Sequence, residues 1–125
     1  MRARVVFLDD NEDLRELVPM LLTSTLGVEC LSFGSLMEIQ NRSGDVLIAQ
    51  LAILDINLGS NAPNGIDAFN WLTAHGFPGK TIFLTGHART NPQVSLAERS
   101  GAEVLEKPLH PDQLVSFVTR ALENT

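Results

Sequence analysis

The run Leu51-Ala52-Ile53-Leu54-Asp55-Ile56-Asn57-Leu58-Gly59 restricts what this chain can fold into more than any other stretch. Four apolar residues leading into one carboxylate describe a strand buried on both faces, the kind found in parallel sheets. A carboxylate in the middle of such a strand would be unpaired and desolvated, which is costly. At the carboxyl end the cost falls away, because open α/β sheets bind ligands in the crevice just beyond those ends. Asp55 therefore reads as a group presented at the rim of a sheet, or as an ordinary strand-ending Asp that caps the next turn.

Four other short apolar runs share the pattern. Arg4-Val5-Val6-Phe7-Leu8 ends in Asp9-Asp10, and Thr81-Ile82-Phe83-Leu84-Thr85 ends in a hydroxyl. Glu103-Val104-Leu105-Glu106 ends at Lys107-Pro108, while 28–33 makes a further strand. Helical segments lie between them. After an Asn11 or Asp10 cap, Leu14, Leu17, Val18, Leu21 and Leu22 form one apolar face that Gly27 ends. Pro19 lies inside this helix and removes one backbone bond, so a kink is expected rather than a break. Ser35-Leu36-Met37-Glu38 has capping-box spacing and opens a short helix that fades by Ser43-Gly44. Residues 46–48 read equally as one more helical turn or as an apolar loop. Asn64-Gly65 starts a helix that Gly76 closes, Asn91-Pro92 starts one that Gly101 closes, and a last helix follows Pro111.

Strands alternating with helices imply a doubly wound, five-stranded parallel sheet covered on both faces, a flavodoxin-like α/β fold. Such a sheet brings its strand ends to one edge. Asp9, Asp10, Asp55, Thr85 and Lys107 should then share one crevice. Two carboxylates about 5 Å apart repel by roughly 3 kcal/mol at an effective dielectric near 20. Lys107 offsets part of this, and a hard divalent cation such as Mg²⁺ offsets it better. A carboxylate nucleophile beside a metal, an ammonium and a hydroxyl suits aspartyl-phosphate chemistry.

The 125 residues read as a single domain over 1–125, 44% apolar and 19% charged. A formal net charge of −6 without a stripe of Lys or Arg argues against direct contact with nucleic acid. No apolar run is long enough to span a bilayer, and the N-terminus turns acidic too early for a signal peptide, so a cytoplasmic location is expected. Cys30 alone excludes a disulfide framework and reads as a small buried hydrophobe.

The motifs FLDDNE, LAILDINLG, IFLTGHA and LEKPL resemble those of receiver domains of two-component response regulators, across residues 3–123. The intervals from Asp10 to Asp55 (45), Asp55 to Thr85 (30) and Thr85 to Lys107 (22) are similar to the family's. The resemblance implies that Asp55 takes a phosphoryl group from a sensor histidine kinase or a histidine phosphotransfer protein. It implies Mg²⁺ held by Asp10, Asp55 and the Asn57 carbonyl, with Asp9 acting through water. Thr85 and Lys107 would bind the phosphoryl oxygens, and the Lys107–Pro108 bond would be cis. Phosphoryl transfer and its reversal would be self-catalysed rather than enzymatic towards other substrates. A downstream effector protein or output domain would read the state, with dimerisation on phosphorylation possible and no membrane partner. Val104 stands where the family usually carries an aromatic residue. Two rival readings are a receiver-like interaction module without phosphorylation, and a haloacid-dehalogenase-type phosphatase using Asp9 with Thr85 and Lys107. Asn11 stands where the latter needs an Asp, and the chain is short for its cap.

Overall fold

The computed structural model describes residues 3–56, 64–86, 99, 101–107 and 110–123. Five strands run parallel: β1 (Arg4–Leu8), β2 (Glu29–Phe33), β3 (Leu51–Asp55), β4 (Lys80–Thr85) and β5 (Glu103–Glu106), in the order β2-β1-β3-β4-β5. The helices are α1 (Glu12–Leu26), α2 (Leu36–Asn41), α3 (Ser43–Val46), α4 (Gly65–Ala74) and α5 (Pro111–Glu123). The helix expected over 91–101 lies outside the described residues, apart from a helical Arg99.

Side chains alternate across a strand, and here each alternate set is buried. Val6, Leu8, Ala52, Leu54 and Phe83 pack on one face with Ile39 of α2, Val46 of α3, and Ala68 and Leu72 of α4. Val5, Phe7, Leu51, Ile53, Ile82 and Leu84 pack on the other with Val18 and Leu22 of α1 and Leu114 and Val118 of α5. Two cores sharing one sheet explain why β3 is buried at all five positions and why its sequence shows no polar alternation. The order reverses between β1 and β3, which opens a crevice at their carboxyl ends.

Local details follow the expected chemistry with three corrections. Asn11 caps α1, its Oδ1 accepting from Leu14 N at 3.1 Å, and Gly27 ends that helix at φ 68°. Pro19 cannot donate to the carbonyl of Arg15, four residues back. The Ser32 hydroxyl of β2 donates to that oxygen instead, at 2.9 Å, so α1 continues across the proline. The first correction concerns Leu17, assigned to the buried face of α1. It is 53% exposed and lines an apolar groove between α1 and α5 with Leu14, Leu21 and Leu114. The second concerns the fading of the Ser35 helix near Ser43-Gly44. A new turn, α3, begins there, and Val46 fills the core, which decides the open choice over 46–48 in favour of a helical turn. The third concerns the capping box. Ser35 Oγ accepts from Glu38 N at 3.3 Å, but Glu38 Oε2 reaches back to Gly34 N at 3.1 Å, one residue earlier than the motif predicts.

Cys30 is half-buried in β2, and loss of hydration pushes its thiol up to about 12. The thiolate is the reactive form, so Cys30 should resist alkylation in the folded protein at pH 8. Iodoacetamide labelling followed by intact mass should be slow in buffer and fast in denaturant. Equal rates would show an accessible thiol.

Candidate functional site

Each site residue is placed by the strand that ends at it. The Asp9 amide extends β1 by donating to Phe33 O at 3.0 Å, and Asp9 is fully buried. Ile56 N donates to Leu84 O at 2.9 Å, which seats Asp55, 2% exposed, between β1 and β4. Lys107 N donates to Thr85 O at 2.8 Å, so the β4–β5 ladder carries the lysine to the same edge. Thr85 is fully buried and Asp10 is exposed.

The carboxylates of Asp9, Asp10 and Asp55 each offer an oxygen within 4.8 Å of the others. The Lys107 ammonium bridges two of them, at 2.7 Å to Asp9 Oδ2 and 3.0 Å to Asp55 Oδ2. Burial of the ammonium would lower its pKa. The hydrogen bond and charge of Asp9, together with those of Asp55, outweigh that desolvation and raise it. Lys107 is therefore cationic at neutral pH. Three carboxylates and one ammonium leave a formal charge of −2, which a divalent cation would balance. The donors are hard oxygens, which suits Mg²⁺ better than softer metals.

All five predicted side chains come from strand ends on one edge, and three carboxylates and the lysine meet there. Asn57, His87 and Pro108 lie outside the described residues, so the expected Asn57 carbonyl ligand and cis bond do too. Val104 is half-buried against the Phe83 core, paired across the ladder with Phe83.

Three residues that sequence reasoning gave no site role also shape the crevice. The Asn11 amide donates to Asp9 Oδ1 at 2.9 Å, and Arg15 Nη1 donates to the Asp9 carbonyl at 3.1 Å. Gly65, read only as a helix start, passes against the Asp55 carbonyl. A Cβ there would collide with that backbone oxygen and lie 2.8 Å from its carbon. Asn64-Gly65 is visible in the sequence as a cap, but the close approach to β3 is not. Gly65→Ala should cost about 1–3 kcal/mol by pushing α4 away from Asp55. Urea unfolding checks this, and a midpoint equal to wild type would mean the backbone yields freely.

The comparisons agree with this geometry. The model of the response regulator receiver domain family matches residues 5–119. The comparison with curated proteins found no match. Among solved structures, a response regulator receiver protein from Pseudoalteromonas atlantica is 26% identical, with 97% of this chain and 98% of that one covered and a TM-score of 0.80. NtrX from Brucella abortus is 28% identical over 99% of this chain at a TM-score of 0.83, although the match spans only 28% of NtrX. A CheY-like receiver domain protein from Methanospirillum hungatei, 20% identical and with 99% and 96% of the two chains covered, has the same fold at a TM-score of 0.82. The family match over most of the chain, on a parallel sheet that gathers acids and a lysine at one edge, shows that this protein belongs to the response regulator receiver domains, the phosphoacceptor modules of two-component signalling.

Proposed function

We propose that Asp55 is the phosphoacceptor of this domain and that Asp10, Asp55 and Asp9 form its Mg²⁺ site. The observation that carries this is the Lys107 bridge, which ties the ends of β1, β3 and β5 into one cluster with a residual charge of −2. A carboxylate oxygen of Asp55 forms the new P–O bond as the bond from phosphorus to the donor breaks. The donor's leaving group, the imidazole of a phosphohistidine, departs with the electron pair. Lys107 sits beside the acceptor as a fixed cation and offsets charge on the phosphoryl oxygens. Thr85, at the neighbouring strand end, supplies a hydroxyl donor to one of them. Mg²⁺, when bound, adds charge neutralisation at those oxygens.

The chain performs this transfer on itself and needs no separate catalyst, so a small phosphoryl donor should suffice. A sensor histidine kinase or histidine phosphotransfer protein is the proposed donor, and an effector protein or output domain the reader. Residues 1–125 constitute a single receiver domain in this reading. No helix among the described residues is long and apolar enough to cross a membrane.

Acetyl phosphate with Mg²⁺ should add one phosphoryl group, about 80 Da by intact mass, to the wild-type protein. The same incubation in EDTA should add none. No gain with the metal present would favour the interaction-module reading.

A further inference from the structure

Asp9 is held at every polar atom. Its amide donates to Phe33 O, and its two carboxylate oxygens accept from Asn11 N and Lys107 Nζ. The fourth tie is to its carbonyl, which accepts from Arg15 Nη1 at 3.1 Å. That carbonyl belongs to the planar peptide joining Asp9 to Asp10, so its direction sets how Asp10 leaves the strand. Asp10 itself is exposed, and among the described residues no side chain holds its carboxylate. Its place near Asp9 and Asp55 is therefore inherited from its backbone.

Arg15 is well built for this task. Its amide donates to Asn11 O at 3.1 Å within the first turn of α1. Its carbonyl, released by Pro19, is tied to β2 through Ser32. The guanidinium lies over Gly34, where a Cβ would stand 3.0 Å from Nη1 and 3.2 Å from Cζ. A side chain at that position would crowd both Arg15 and Glu38 Oε2. The planar fork is thus confined between α1, the turn after β2 and the Asp9 carbonyl.

We infer that Arg15 is a positioning residue for the metal site, holding the Asp9–Asp10 peptide so that the Asp10 carboxylate stands with those of Asp9 and Asp55. This rests on the reading of Asp10 as a Mg²⁺ ligand. Residues that orient ligands from outside the coordination shell typically contribute 10- to 100-fold in metal affinity. The lower end applies here, because Mg²⁺ keeps several waters and draws on few protein ligands.

Calorimetric titration of Mg²⁺ alone into metal-free protein tests the inference, with thermal unfolding in EDTA run in parallel. Arg15→Met keeps the stem but removes the donors, and should bind Mg²⁺ about tenfold more weakly. Arg15→Lys restores one donor and should recover most of that loss. Gly34→Ala, which displaces the guanidinium without touching it chemically, should follow Arg15→Met and serves if Arg15→Met does not fold. A purely structural role would lower the melting temperature in EDTA and leave the Mg²⁺ affinity of the folded variants within twofold of wild type. That result overturns the inference. Asp10→Ala separates the two levels. If it retains wild-type affinity, the metal reading fails together with the inference. If it loses affinity while the folded Arg15 and Gly34 variants do not, only the inference fails.

Discussion

Asp55→Asn takes up no phosphoryl group from acetyl phosphate and Mg²⁺, whereas Asp9→Asn still gains about 80 Da, though more slowly. The difference follows from what already occupies each carboxylate. Both oxygens of Asp9 accept strong hydrogen bonds, one from the Asn11 amide and one from Lys107, which suits a structural and metal-side role. Asp55 ends the central strand, between β1 and β4, with the lysine on one oxygen. Asn has nearly the same shape but lacks the anionic oxygen that attacks phosphorus. It also removes one of three mutually repelling charges, at roughly 3 kcal/mol for a pair near 5 Å. The variant should therefore be at least as stable as wild type, so loss of labelling cannot be ascribed to unfolding. Intact mass after incubation, with a melting curve on the same sample, checks both halves. Labelling of Asp55→Asn together with its loss in Asp9→Asn would support the phosphatase reading instead.

Lys107→Met should lower stability by about 2–3 kcal/mol in EDTA at neutral pH. Removing one partner of a buried ion pair typically costs 3–5 kcal/mol, and the 26% exposure of the lysine side chain reduces that. Two buried carboxylates then face each other without their cation. For a domain of this size the loss corresponds to roughly 10 °C in melting temperature. Mg²⁺ should restore more stability to this variant than to wild type, because the metal and the ammonium neutralise the same oxygens. The pH dependence has a definite sign. The folded pKa of Lys107 lies above its unfolded value near 10.4, so its contribution is complete below that pH. It is lost as pH rises through the folded pKa. The gap between wild type and Lys107→Met should therefore be constant near neutrality and close only in strong alkali. Matching melting curves for the two proteins in EDTA would show that the bridge contributes nothing.

Much of this protein is legible without its coordinates, because the informative signals are local. Apolar runs of four or five residues identify β1, β3 and β4, and the Asn11, Ser35 and Asn64 caps mark helix starts within a residue. Once five strands are parallel, topology alone sends Asp9, Asp10, Asp55, Thr85 and Lys107 to one edge. The errors arose where local pattern is ambiguous. Leu17 fits the helical period of α1 as well as Val18 does, and only the placement of α5 leaves it outside. Residues 43–48 carry too few apolar positions to fix a period, and burial of Val46 against β3 decides the turn.

What only the tertiary structure decided are contacts between residues far apart in the chain. Lys107 meets Asp9 across 98 positions and Asp55 across 52, and chooses two of the three carboxylates. Ser32 completes the helix that Pro19 interrupts, from a different strand. Gly65 is needed for its approach to Asp55, and Arg15 for the carbonyl it holds. Periodicity and capping report which backbone a segment prefers. They carry no information about which polar atom a folded neighbour will place within 3 Å, because that distance is set by the packing of two cores against one sheet.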